Sequence, residues 1–165
     1  MLGNLQIIVK REVGSMIDSE DVKQAIVERL LEIFPNVAVY KEAKANVVYP
    51  HFFVYQINVK DEEERKDYHL LTYSMEVRYR VASDPSTDLK LEQNLDNAGL
   101  KLFQSFNIID FEESKVRCEE KSTEKIDGVL HFFFTIKILA KFVSGEETIK
   151  QNKLSLEVKT NGNEV

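Results

Sequence analysis

The chain has 165 residues, the length of one ordinary domain. It is 43% hydrophobic and 30% charged, which excludes a disordered or collagen-like chain. The formal net charge of −6 argues against a nucleic-acid-binding surface, because phosphate binding needs lysines and arginines concentrated on one face. The single cysteine, Cys118, allows neither an internal disulfide nor a cysteine-rich zinc site and favours a reducing compartment. Apolar runs are too short for a membrane span or a signal peptide, so we expect a soluble, intracellular protein.

The first clear element is an amphipathic helix that begins after Asp18. Residues 1–17 show only a weak strand-like alternation, and we assign them to an N-terminal extension. Asp18 and Ser19 are good helix caps, and Pro35 ends the pattern. The apolar residues of this helix recur on one face and are Val22, Ile26, Leu30, Ile33 and Phe34.

Two alternating segments then predict a long β-hairpin. The first strand runs over residues 51–59, with Phe53, Tyr55, Ile57 and Val59 on one side. The second covers residues 71–81 and shows the strongest period-two pattern in the chain. We assign the charged residues between them to the hairpin turn; they include Glu62, Glu63, Glu64, Arg65 and Lys66.

A second helix and a second hairpin follow. The segment 83–86 breaks the strand and starts the helix, whose apolar face carries Leu91, Leu95, Ala98, Leu102, Phe103 and Phe106. A strand around residues 115–124, the turn dipeptide Asp127–Gly128 and a last strand over residues 129–143 complete the domain. Residues 144–165 form a polar tail with one alternation at 154–158, which would add an edge strand, reach a neighbouring subunit or stay mobile.

This order predicts an α+β fold with one domain over residues 18–143. The sheet is mainly antiparallel, built from two long hairpins, and both amphipathic helices pack on one of its faces. The second face is half apolar, so either another chain covers part of it or the N-terminal segment or the tail folds over it. Its predicted apolar and aromatic residues are Phe52, Val54, Leu70, Val129, His131, Phe133, Leu139 and Val143.

Signatures of catalysis and of metal or cofactor binding are missing from the sequence. The six glycines are scattered, whereas phosphate-binding loops need them clustered. His51, His69 and His131 include no pair spaced for a metal-binding helix face, and we expect them to be exposed or hydrogen-bonded in strands. Cys118 has no neighbouring base and fits a half-buried strand residue. We therefore predict no enzyme, with no catalytic residue, no cofactor and no metal site.

Two blocks of sequence resemble the small phage tail terminator proteins found in phages and prophages of Gram-positive bacteria. The first block contains Ile33-Phe34-Pro35-Asn36, Val39-Tyr40 and Pro50-His51-Phe52-Phe53-Val54. The second is Asp127-Gly128-Val129-Leu130-His131-Phe132-Phe133-Phe134, a turn leading into the final strand. The resemblance spans residues 17–143 and supplies no catalytic residue.

The resemblance implies a virion tail protein with an α+β fold, assembled in the cytoplasm of the host bacterium. It implies a homo-oligomeric ring, commonly a hexamer, that caps the tail tube, stops its polymerisation and meets the neck, connector or sheath-end proteins. A half-apolar sheet face fits a ring subunit, since cyclic symmetry uses two different patches. The acidic charge fits a lumen through which DNA passes without sequence-specific binding.

For contacts with partners or other subunits we select the charged turn together with the face of the second strand. The residues are Glu62, Glu63, Glu64, Arg65, Lys66, Glu76, Arg78, Arg80 and Phe133. Two alternatives stay open: another neck or head-completion protein, and a small-molecule-binding α+β domain. The second would need a cavity with convergent polar groups between sheet and helices, where the sequence predicts a filled core.

Overall fold

Seven strands and two helices make up the part of the protein that the structure describes. A computed structural model describes residues 8–10, 17–82 and 88–141. The strands form one sheet in the order β2-β3-β4-β7-β6-β5, with β1 paired to β7. The β1–β7 and β2–β3 pairs are parallel and the others antiparallel, which confirms the predicted α+β fold. The elements are β1 (Ile8–Lys10), α1 (Ser19–Ile33), β2 (Ala38–Tyr40), β3 (His51–Arg65), β4 (Tyr68–Arg80), α2 (Asp88–Ser105), β5 (Ile108–Phe111), β6 (Ser114–Ile126) and β7 (Val129–Lys141).

Helix α1 forms where the sequence predicts it because both of its ends are satisfied locally. The Asp18 carboxylate accepts a hydrogen bond from the Glu20 backbone N–H, and the Asp18 N–H donates to the Asp21 carboxylate. At the other end the Phe34 N–H donates to the Leu30 carbonyl at 2.7 Å. The buried residues are Val22, Ala25, Ile26, Val27, Leu30 and Ile33.

Helix α2 is tied at its C-terminal end to α1 and β6 by two cations. Arg29 donates to the Ser105 carbonyl at 2.7 Å, and the Lys121 ammonium donates to the Phe103 carbonyl at 2.9 Å. The last carbonyls of a helix carry partial negative charge and lack partners within the helix, so both contacts stabilise this end. The predicted helix start at residues 83–86 lies outside the described residues.

The hydrophobic core lies between the two helices and one face of the sheet. Leu95 and Leu102 of α2 and Phe106, the residue directly after it, are fully buried, and the Phe106 ring centre lies 5.0 Å from that of Phe134 and 5.7 Å from that of Phe132 on β7. Burying such a side chain contributes about 2–3 kcal/mol, so these rings anchor α2 on the sheet.

The β3–β4 hairpin is longer than predicted, and the assignment of the charged residues 61–67 to the turn is wrong for five of them, Asp61 among them. Glu62, Glu63, Glu64 and Arg65 belong to β3, and only Lys66 lies in the turn, beside Asp67 with its positive φ of 66°. Strand β4 pairs with β7 along its whole length. Because β7 holds β4 in place up to the end of the hairpin, β3 can pair with β4 over the same length. Charged side chains are tolerated there because this part of β3 is an exposed sheet edge.

The predicted assignment of Phe52 and Val54 to the second sheet face is wrong, and a bulge follows them in β3. Phe52 and Val54 pair with Tyr79 and Val77 and face the helices, where they are buried. The face opposite the helices, here the far face, instead carries Phe53 and Tyr55, as the strand alternation indicated. Beyond the register shift between Gln56 and Asn58, Val59 pairs with Tyr73 and returns to the helix side. The other predicted far-face residues lie there as expected, except Val143, which is outside the described residues.

Two further features complete the sheet. The short strand β5 is an addition to the predicted elements and pairs antiparallel with the start of β6. The Asp127–Gly128 dipeptide forms the predicted tight turn, with φ angles of 49° and 72°. Neither helix of the described part has the length and apolarity needed to cross a membrane.

Candidate interaction surface on the far face

A buried ionic cluster occupies the middle of the far face. Alternation along β4 places Glu76 and Arg78 on this side, and His131 lies opposite Arg78 on β7. The Arg78 Nε and Nη2 atoms donate to the two Glu76 carboxylate oxygens at 2.8 and 3.0 Å. The His131 Nδ1 atom lies 2.6 Å from Glu76 Oε1 and donates to it, because a carboxylate only accepts. Glu76 is 5% exposed, so these bonds replace its hydration.

The cluster keeps Glu76 charged and orients Arg78. Burial by itself would raise the pKa of Glu76, but the hydrogen bonds from Arg78 and His131 outweigh it and leave the pKa below its usual value. The bond to Glu76 likewise raises the pKa of Arg78 above its usual value. The guanidinium also lies 4.4 Å from the centre of the Tyr55 ring and retains 37% side-chain exposure. Arg78 is thus held in one place while part of it remains available to a partner.

Apolar and aromatic side chains surround this cluster. Phe133 pairs with Glu76 across the strands, is half-buried and stacks on His131 at a ring distance of 6.2 Å. Val129 and Leu139, on the same strand, are buried. What the far face exposes is therefore the partly exposed rings of Phe133 and Tyr55 beside one oriented cation, a composition typical of surfaces that contact other proteins.

The charged end of the β3–β4 hairpin is a separate surface. Glu62 pairs with Leu70, six residues along β4 from Glu76, which corresponds to about 20 Å at the rise of a β-strand. Glu62, Glu63 and Glu64 are exposed. Arg65 lies over the Tyr68 ring at 4.7 Å. The structure thus brings Glu76, Arg78 and Phe133 together and places the hairpin group elsewhere, while Arg80 is exposed at the opposite end of β4.

A cavity of about 400 Å³ at that opposite end was not predicted from the sequence. Its lining includes Tyr49, Arg80, Leu91, Ile126 and His131. These residues come from five separate segments, so no local pattern marks the site. The small-molecule alternative called for a cavity between sheet and helices, whereas this one lies at the end of the sheet and has Leu91, near the start of α2, as its one lining residue from a helix of the described part.

The titratable groups that nucleophilic or metal chemistry would use are not assembled in the described ranges. Cys118 is buried, and desolvation raises the pKa of its thiol to about 12, so the nucleophilic thiolate is suppressed. His51 is fully buried, and burial holds its pKa below the usual value. Within residues 8–10, 17–82 and 88–141 no three His, Cys, Asp or Glu side chains are placed to hold a metal ion.

These observations define the class: an α+β protein whose described surfaces are suited to contacts between proteins. A family model described as phage tail terminator protein matches residues 21–149, which is most of the chain. The chain therefore belongs to the phage tail terminator family, as its two sequence blocks indicated. It is a structural component of a phage tail that interacts with other tail proteins. No curated protein sequence matches it.

Proposed function

We propose that this protein caps the tail tube as a ring of identical subunits, commonly six in this family. The ring stops further tube polymerisation and then forms the interface to the neck, connector or sheath-end proteins. Assembly takes place in the cytoplasm of the host bacterium. The family match over residues 21–149 is the observation that carries this proposal.

The far face supports a role in contacts between subunits. A closed ring with cyclic symmetry joins two different patches, one on each side of every subunit. We assign Arg78, Arg80 and Phe133 to one of these patches, on the basis of their partly apolar surroundings. Glu76 serves the same patch indirectly, because its buried carboxylate holds Arg78 in position.

The hairpin end supports a contact with the tube or with the neck. Glu62, Glu63, Glu64, Arg65 and Lys66 lie at the end of the sheet farthest from Arg80. They are exposed, and an exposed group of charges serves the orientation of a partner better than it serves stability. A hexamer carries six times the net charge of −6, and a negatively charged lumen would repel DNA phosphates and let DNA pass.

Size measurement with electron microscopy tests the ring directly. Light scattering on the purified chain, alone and mixed with its tube protein, is expected to give the mass of six 19.1 kDa subunits in at least one condition. Negative-stain images are expected to show rings alone or at one end of each tube. A strict monomer under both conditions contradicts the proposal.

Charge reversal tests the hairpin end separately. The triple variant Glu62→Lys, Glu63→Lys, Glu64→Lys is expected to form rings but to cap tubes at least tenfold less efficiently, so tubes grow longer. Reversal of the exposed Glu42, Glu113 and Glu124, which lie on other parts of the surface, changes the charge by the same amount and is the matched control. Equal tube lengths in the triple variant and the control would remove the hairpin end from the capping contact.

A further inference from the structure

The outer edge of β3 lacks a strand neighbour over most of its length. Strand β2 pairs only with His51, Phe52 and Phe53. From Val54 to Arg65 the inner edge of β3 pairs with β4, while its outer edge meets no strand among the described residues. An edge of this length presents a row of backbone donors and acceptors, which is a template for a further strand.

The two halves of this edge differ in how they are protected. Residues 60–65 are all charged, and charged side chains on an edge strand hinder pairing with another chain. Residues 54–59 contain no charge at all, and Ile57 and Val59 are 51% and 39% exposed. Charge, one usual protection of a sheet edge, is therefore absent from the half that carries exposed apolar side chains, and the bulge between Gln56 and Asn58 interrupts the pairing of that half with β4.

We propose that residues 154–158 of a second copy of this chain pair with residues 54–59 of β3 as an added β-strand. This inference rests on the proposed ring and identifies one of its contacts between subunits. Leu154, Leu156 and Val158 alternate with Ser155 and Glu157, which is the pattern of a half-buried strand. Five residues fit within the six-residue uncharged edge, and their apolar side chains would pack beside the exposed Ile57.

Charge and length both fit this pairing. Lys153 and Lys159 flank the segment, so whichever direction the added strand takes, one lysine lies near residues 60–65, whose two positive and four negative side chains give a net charge of −2. Residues 142–153 link the segment to the end of β7, and twelve residues span up to about 40 Å. β7 ends beside Tyr68 and Arg65, about 10 Å across the sheet and about 20–36 Å along it from residues 54–59, so within its own subunit the segment would reach this edge only with most of the link extended. In a ring each subunit then donates one strand and receives one.

Cross-linking between differently tagged chains tests the pairing. Full-length Ile57→Cys and Leu156→Cys chains are mixed, allowed to assemble and oxidised. A disulfide between the two tags is the expected product. Leu100→Cys, at an exposed position of helix α2, replaces Ile57→Cys in the control, and no cross-link with Leu156→Cys is expected. The buried Cys118 contributes little background because its thiol pKa is high. Chains that carry both Ile57→Cys and Leu156→Cys are oxidised in parallel. If a cross-link forms only within single chains of this double variant and none joins the differently tagged chains, the proposal is overturned.

A point variant separates the strand contact from the ring itself. Leu156→Asp places a charge on the apolar side of the segment and is expected to raise the subunit concentration for half-dissociation at least tenfold. Asn161→Asp adds the same charge outside the alternation and is the control. If Leu156→Asp assembles as tightly as the original chain, the added strand is refuted while the ring stands. If the original chain is itself a strict monomer, with and without tube protein, the ring and this contact fall together.

Discussion

Replacing Glu76 by alanine tests whether the far-face cluster is the structural anchor of Arg78. The substitution removes three hydrogen bonds at once, two from Arg78 and one from His131. Breaking a fully buried ion pair in this way costs about 3–5 kcal/mol, because the remaining partners keep an uncompensated charge or donor. The Arg78 side chain is 37% exposed, so water compensates for part of the hydrogen bonding that Arg78 loses. The His131 side chain is 13% exposed and is compensated less. We therefore expect a loss of about 2–3 kcal/mol in the free energy of unfolding.

The isosteric variant Glu76→Gln separates charge from packing. Its amide oxygen still accepts from His131 and the Arg78 Nε, but its amide nitrogen faces the Arg78 Nη2, donor against donor. We expect a loss of about 1–2 kcal/mol. The depressed pKa of Glu76 means that its stabilising contribution is present above the usual value of 4.5 and lost as pH falls through the folded-state value. The difference in the free energy of unfolding between the original chain and Glu76→Gln is therefore expected to become smaller as the pH falls.

Urea unfolding at pH 7 and pH 4 measures both effects. The protein concentration must be fixed, because assembly adds to apparent stability. Glu113→Ala, at an exposed turn, is the control and is expected to stay within about 0.5 kcal/mol of the original chain. A loss below about 0.5 kcal/mol for Glu76→Ala would refute the anchoring role, since the carboxylate would then be contributing no more than an exposed surface charge.

Three other predictions concern the histidine on β3, the glycine of α2 and the cysteine. His51 has a pKa lowered by burial, so its contribution is intact above about pH 6.5 and is lost as pH falls below it. In thermal melting, the melting temperature of His51→Asn is expected to fall less on acidification than that of the original chain, because its amide keeps the bond to the Val48 carbonyl but does not titrate. Equal falls in the two chains would argue against this role of His51. Gly99→Ala is expected to stabilise the fold by about 0.5–1 kcal/mol in urea unfolding, because the added carbon meets Leu130 at an ordinary 3.6 Å; destabilisation would show that Leu130 cannot adjust. Cys118 is expected to react with a thiol reagent at least 100-fold more slowly in the folded chain than in urea, and similar rates would mean that the strand opens readily.

The helices and most strands were predictable because each follows a local rule. Helix α1 runs from Ser19 to Ile33, inside the interval set by the Asp18 cap and Pro35. The buried residues of α2 follow the predicted 3.6-residue spacing, and the β4 alternation survives in the burial of its odd-numbered residues. Capping, periodicity and turn chemistry depend only on residues a few positions apart, so a single sequence suffices to detect them.

The errors arise where the structure depends on pairing between distant segments. Nothing in the local sequence marks the bulge after Gln56, and the faces of Phe52 and Val54 are fixed by pairing with Tyr79 and Val77. The end of β3 was assigned to a turn because its residues are charged. Its actual extent depends on the support that β7 gives to β4. Pairing between distant strands therefore determines both the faces of Phe52 and Val54 and the point at which β3 ends.

The same limitation explains what could be predicted of the candidate site. The polar side of β4 made Glu76 and Arg78 visible as partners on one face. Their connection to His131 requires the register of β7 against β4, which pairs Arg78 with His131 over 50 positions away in the sequence. The buried state of Glu76 was not foreseen either, because alternation indicates which face a residue occupies but not what packs around it.

The contrast between the two surfaces on β3 and β4 bears on how a ring would assemble reversibly and in one register. Strand pairing along an edge supplies main-chain hydrogen bonds that are nearly independent of side chains, so by itself it tolerates slippage by two residues. An oriented cation such as Arg78, bound in two places to Glu76, has a defined position and penalises a slipped neighbour that fails to meet it. The uncharged edge of β3 would then provide adhesion and the far-face cluster the register. This division predicts that Glu76→Gln makes the rings less uniform with little change in their number. Leu156→Asp is expected to reduce the number of rings with little change in their uniformity. Particle images can quantify both the number and the uniformity of the rings.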